Sequence, residues 1–176
     1  GSGGYTDTST HPVLLSLMSQ LWDRGEGNGY AANMTSNPPP NTPEHNVLLH
    51  VAYGDFQVSH YAATVEARTI GARSYRPAVD LPAREQDKNI LWKVPAIKGF
   101  PYDGSAIVIW DSGPGFNTPP PLTNAAPEEP ANGEDPHSEP RSTVAAREQK
   151  SAFLMPDGRV IDVCGGQPCH TDAYLP

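Results

Sequence analysis

Asn46-Val-Leu-Leu-His-Val-Ala-Tyr-Gly-Asp-Phe-Gln-Val58 decides the fold. Its first eight residues form an almost continuous apolar run that stops at Gly54. A run this short and apolar suits a strand buried on both faces, as in a parallel sheet covered by helices. Beyond the turn at Gly54 and Asp55, Val58, Tyr61, Ala62, Val65 and Ile70 recur at helical spacing. Gly71 then stands where a glycine commonly ends a helix. Strand, tight turn and helix make half of a βαβ unit.

Downstream, Ser105-Ala-Ile-Val-Ile-Trp110 predicts a second buried strand, rich in β-branched residues and introduced by Asp103-Gly104. Ile90 to Ile97 predicts a short strand, which Pro95 confines to an edge or an extended loop. Upstream, Leu14, Leu15, Met18, Leu21 and Trp22 line one face of a helix from Pro12 to Asp23, and such a stripe is expected to pack into the core. The prolines of Asn37 to Pro43 make an extended connector. The segment 111–141 reads as a long Pro-rich loop without periodicity, functional or mobile. A helix is expected from Ser142 to Leu154, then a turn at Met155 to Arg159, then a short strand or extended piece at Val160 to Val163. The fold class is α/β, a partial parallel sheet with flanking helices and long Pro-rich loops. Residues 1–10 read as a linker or N-terminal remnant, 11–163 as the α/β region and 164–176 as a Cys-containing tail.

Composition narrows the function. The 176 residues carry 12 Lys and Arg against 20 Asp and Glu, a net charge of −8. With no basic patch, a nucleic-acid partner is not expected, because phosphate binding needs clustered Lys and Arg. The acidic stretch Glu128 to Glu139 reads as a solvated loop. No apolar run approaches the roughly 20 residues that cross a bilayer. Asn33-Met-Thr35 matches a glycosylation sequon, a pattern that also arises by chance.

Cys164 and Cys169 enclose Gly-Gly-Gln-Pro, a segment bent enough to close a small disulfide loop in an exported protein. Two free thiols, or a metal site shared with His170, are the rival readings. The spacing is not Cys-x-x-Cys, and no second Cys pair is present.

Two residues stand out for chemistry. Asp55 directly follows a buried strand, and catalytic groups collect outside the carboxyl ends of strands in open parallel sheets. A carboxylate there can hold an imidazole in one tautomer; its plainer role is to cap the next helix. His137 lies in a loop after the second strand and just before a helix, where a base can reach a nucleophile; its plainer role is an exposed loop histidine. His50 reads as a core histidine inside its strand, and His11, His45, His60 and His170 compete as bases. A calcium site from Asp55, Asp111 and Asp135 lacks a regularly spaced ligand loop. No cofactor and no metal is expected.

The order strand, Asp, helix, strand, His, helix resembles the last part of the α/β-hydrolase fold, whose triad runs Ser, then Asp or Glu, then His. Gly54, Asp55 and Val58 are similar to that family's acid turn. Val47 to Tyr53 and Ser105 to Trp110 look like its last two core strands. Leu21-Trp-Asp-Arg-Gly-Glu-Gly-Asn-Gly-Tyr30, together with Val47 to Gly71, resembles exported bacterial proteins of hydrolase-like type. The resemblance implies that Asp55 orients His137 and that His137 is the base in hydrolysis of a small ester or acyl substrate. It also implies a secreted, periplasmic or cell-envelope location. The departure is the missing Gly-x-Ser-x-Gly elbow: Gly1-Ser2-Gly3-Gly4 has no strand before it to build the strained turn and oxyanion hole. A nucleophile outside this chain is therefore expected, on an N-terminal complementary segment or partner chain, with the isolated chain inactive. The alternative is a non-catalytic binding or assembly module that keeps the hydrolase architecture. The aromatic and Gly-rich segment Trp22 to Tyr30 and the Pro-rich loop would be its contact surface.

Overall fold

The computed structural model describes residues 10–22, 25–55, 57–80, 89–116 and 134–175. The quoted stretch forms strand β1 (Leu48–Ala52), and the second apolar run forms β3 (Ala106–Asp111). They pair in parallel over their shared length, Leu48 opposite Ala106 and Ala52 opposite Trp110. The free side of β3 takes two short parallel strands. β2 (Arg73–Ser74) pairs the start of β3, and β4 (Cys169–His170) pairs its end. All six residues of β3 are buried, which is why it reads as a continuous apolar run with no alternation.

Side chains still alternate between the two faces. Ile107 and Ile109 join Val51, Tyr53, Ala67, Ile70, Leu91 and Val94 in a core on one face. Val108 and Trp110 join Tyr75, Ala146 and Cys169 on the other. Helix α3 (His60–Thr69) covers the first face and α5 (Val144–Phe153) the second, giving a three-layer arrangement. Burying each of Ile107, Val108 and Ile109 contributes about 1.5–3 kcal/mol.

Local chemistry sets the helix ends. Ser59 caps α3, its hydroxyl accepting the Tyr61 N–H. At the other end Gly71 has φ +70°, while the Ala72 N–H reaches the Ala67 carbonyl and the Gly71 N–H the Arg68 carbonyl. This pair of bonds is the Schellman arrangement, and glycine adopts its left-handed position without Cβ strain. Helix α5 is capped from a distance, the Asp172 carboxylate accepting the Val144 N–H at 2.9 Å.

Several expectations need correction. The amphipathic helix forms, as α1 (His11–Trp22), but it is not packed into the core. Leu15 is 64% exposed, Leu21 80% and Trp22 55%. Its apolar stripe meets no covering layer among the described residues. The expected strand at Ile90 to Ile97 is a turn over 89–93, with Ala96 bridging Ser74. Pro95 has no N–H to extend a ladder there. Val160 makes only an isolated antiparallel bridge to Tyr102. The Cys-containing tail contributes β4, which begins at Cys169, the second cysteine of the disulfide. The long loop is helical at its end, with a 3₁₀ turn at Pro136–Ser138 and α4 at Glu139–Ser142. Its middle, 117–133, lies outside the described residues, as do residues 1–9 of the N-terminal segment. A 3₁₀ turn at Gly27–Tyr30 and the short α2 (Ala31–Thr35) complete the chain.

Cys164 and Cys169 are joined as a disulfide. Buried Tyr75 braces the loop: its hydroxyl donates to Asp162 Oδ1 at 2.8 Å and accepts the Gly166 N–H at 3.0 Å. Burial, then the Asp162 carboxylate, pushes the Tyr75 phenol above its usual range. Among the described residues no helix is long and apolar enough to cross a membrane.

Candidate active site

The carboxyl end of β1 runs into a tight turn, Tyr53 to Asp55, with Gly54 at φ +84°. The Asp55 carboxylate folds back on its own turn. Oδ1 accepts the Gln57 N–H at 2.8 Å and the Val58 N–H at 2.9 Å. Short polar side chains take up backbone donors in this way where a strand gives over to a helix. The cap of α3 itself falls to Ser59, so Asp55 is not needed as its N-cap. The two backbone bonds fix the carboxylate and leave Oδ2 facing outward.

Asp55 Oδ2 meets His137 Nδ1 at 2.7 Å. The two residues are 82 positions apart in the chain. His137 opens no strand or long helix. It is held by the 3₁₀ turn after β3, where Asp135 Oδ1 accepts the His137 N–H at 3.1 Å and Pro136 sets the first helical dihedral. Asp135 Oδ2 also accepts from the Gln57 side chain, tying the histidine turn to the acid turn directly. Both ring partners can be assigned roles from their chemistry. Arg141 Nη2 lies 2.8 Å from His137 Nε2, and a guanidinium can only donate. Nε2 is therefore the acceptor and Nδ1 carries the hydrogen given to Asp55. That tautomer is the one a base needs, with its lone pair on the nitrogen away from the acid.

The pair opens onto a cavity of about 260 Å³ lined by His50, Val51, Ala52, Asp55, Val58, Ala63, His137, Pro140 and Arg141. The cavity follows the side of β1 that no strand pairs, among the described residues. Its walls are apolar except at the dyad, Arg141 and His50. No hydroxyl contacts His137 Nε2 among the described residues.

Of the other histidines, His50 shares this cavity, and His45, His60 and His170 do not line it. His60 begins α3, fully buried and stacked on Tyr53 with ring centroids 5.5 Å apart. His170 stacks on Tyr174 in the C-terminal segment. His45 faces the Pro43 carbonyl. His50 lies in β1 as expected, with Nε2 against Gln149 Oε1 at 2.7 Å, while its buried Nδ1 has no partner among the described residues. Burial, only partly opposed by the Gln149 bond, lowers its pKa from 6.5 to about 4. Of the three carboxylates weighed for calcium, Asp55 and Asp135 are engaged in the dyad and its brace, and Asp111 binds the Gly113 N–H at the end of β3. Among the described residues no group of three His, Cys, Asp or Glu side chains is placed to hold a metal ion.

Arg141 and Gln149 were not legible as site residues. Arg141 sits one helical turn after His137, and that spacing before a helix was the available signal. Gln149 is an ordinary polar residue by sequence, although a histidine inside a buried strand calls for a polar partner from the covering layer.

No family profile, curated protein or solved structure matches this chain.

Proposed function

We propose that this chain is the acid-and-base portion of a serine-hydrolase-like protein, acting on a small ester or other acyl substrate. Asp55 orients His137, and His137 serves as general base to a serine outside the 176 residues. The observation that carries this reading is the 2.7 Å contact between Asp55 Oδ2 and His137 Nδ1, with His137 lining a cavity. A proton on Nδ1 and a lone pair on Nε2 are what general-base activation of a hydroxyl requires. The protein is exported, in keeping with its Cys164–Cys169 disulfide, since such bonds persist in oxidising compartments. The serine is delivered along the unpaired side of β1, where a further parallel strand would complete the sheet and bury the half-exposed Leu48 and Leu49.

The test is fluorophosphonate labelling of the full-length protein. The expected label falls on a serine outside residues 1–176 and is lost in His137→Ala. A label within these residues, or labelling indifferent to His137, overturns the proposal.

A second reading is favoured by one observation, the uncovered apolar stripe of α1. In it the fold is a non-catalytic assembly module, and α1 is its contact surface. Full-length protein that takes no fluorophosphonate label, yet associates through α1, supports this alternative.

A further inference from the structure

We propose that Arg141 is a specificity-determining residue, making the cavity a site for short aliphatic ligands that carry a carboxylate. The proposal deepens the hydrolase reading and rests on the same site. Arg141 lies at the mouth of the cavity, largely exposed, with its Nη2 against His137 Nε2 at 2.8 Å. A guanidinium offers five N–H donors in a planar fork, and one of them is used here. No carboxylate is ion-paired with Arg141 among the described residues, the only ion pairs there being His137–Asp55 and Arg159–Asp103. This is the cation of the cavity. Apart from the dyad and His50, Val51, Ala52, Val58, Ala63 and Pro140 supply its wall and offer apolar contact only. At about 260 Å³ the space lies just below the usual range of ligand sites, which limits the ligand to a short one. With the Asp55 carboxylate taken up by its own turn and by His137, an apolar wall ending in one cation selects a short alkyl chain ending in an anion.

The same contact gives the anion a second effect. While Arg141 donates to His137 Nε2, the lone pair that a base would use is occupied. A bidentate bond to a carboxylate is stronger than a bond to a neutral ring nitrogen. A carboxylate that turns the fork towards itself draws Nη2 off Nε2 and frees that nitrogen. A neutral ligand of the same shape leaves the lone pair covered.

The test uses the 176-residue chain with ¹⁵N-labelled histidine, titrated with glutarate and, separately, with its uncharged diamide. Glutarate is expected to shift the His137 ring signals saturably, with Kd on the order of 1 mM, while the diamide does not. Arg141→Gln is expected to weaken glutarate binding by about tenfold or more, as for loss of a charge-assisted bond, and Arg141→Lys to fall between. Equal response to both ligands, no response to glutarate, or wild-type affinity in Arg141→Gln overturns the proposal. Because Arg141 is exposed, unchanged dispersion of the remaining signals shows that each variant is folded. Binding read this way needs no nucleophile. Glutarate binding in a protein that takes no fluorophosphonate label would sink the hydrolase reading alone, and labelling without glutarate binding would sink the Arg141 proposal alone.

Discussion

Gln149 of α5 and His50 of β1 meet at 2.7 Å across the layer between helix and sheet, 99 residues apart in the chain. Gln149 is fully buried and bridges two elements, its Oε1 on the His50 ring and its Nε2 donating to the Ile161 carbonyl at 2.7 Å. Since Gln149 Oε1 can only accept, His50 carries a hydrogen on Nε2, and burial holds the ring neutral.

That neutrality has a pH signature. The pKa of His50 is about 4 in the folded chain against 6.5 when unfolded. Between these values the unfolded chain binds a proton that the folded chain does not, so stability rises with pH through the interval. As pH falls from 6.5 to about 4 the chain should lose on the order of 3 kcal/mol from this group, with no further loss from it below. Urea unfolding across this range measures the slope, and His50→Leu should flatten it. An unchanged slope in the variant would assign the pH dependence to other groups.

Replacing Asp55 by Asn separates orientation from folding. The amide oxygen can still accept the Gln57 and Val58 N–H groups, so the turn survives. The amide nitrogen would donate to His137 Nδ1 and reverse the tautomer. Under the proposed function kcat is expected to drop about 10⁴-fold with little change in melting temperature. Activity near wild type would show that Asp55 does not orient the base.

The disulfide closes a loop of sequence separation 5. Chain entropy for so small a loop corresponds to about 2 kcal/mol. The double variant Cys164→Ser, Cys169→Ser should lose that amount in chemical denaturation, with the end of the chain, from β4 onward, exchanging its amide hydrogens faster. Undiminished stability would mean that the Tyr75–Asp162 tie holds the loop by itself.

Two glycines should respond differently to alanine. At Gly71 an added Cβ meets nothing within 4 Å, so only its φ of +70° opposes the change. Gly71→Ala is expected to cost about 1 kcal/mol. At Gly158 the Cβ would collide with the Phe153 carbonyl oxygen, a backbone atom at the end of α5. Gly158→Ala should cost about 3 kcal/mol, the upper part of the usual overpacking range. Thermal melts of the two variants give the comparison, and equal losses would contradict it.

The parts of the fold legible in the sequence are those in which a local pattern and the tertiary environment agree. The runs ending at Tyr53 and Trp110 are apolar because both faces of their strands are covered, so periodicity alone reveals them. Asp55 and His137 stand out because each follows such a strand. β4 was hidden because two residues carry no period, and its pairing depends on the disulfide and on Asp172 reaching α5. The stripe of α1 is helical as its spacing predicts, but spacing says nothing about what covers a face. Trp92, expected in a strand, lies instead in a turn, its ring facing Lys93 Nζ at 4.5 Å from the centroid. Polar partners such as Gln149 emerge only when the layers are stacked.

The brace between the acid turn and the histidine turn has a consequence for inheritance. Asp135 binds the His137 backbone with one oxygen and the Gln57 side chain with the other, so acid and base are aligned by groups within this chain. Alignment of that kind does not wait for a serine. Under the proposed function such a segment acts as a cassette, and the completing segment brings the hydroxyl and its oxyanion hole to a point already fixed.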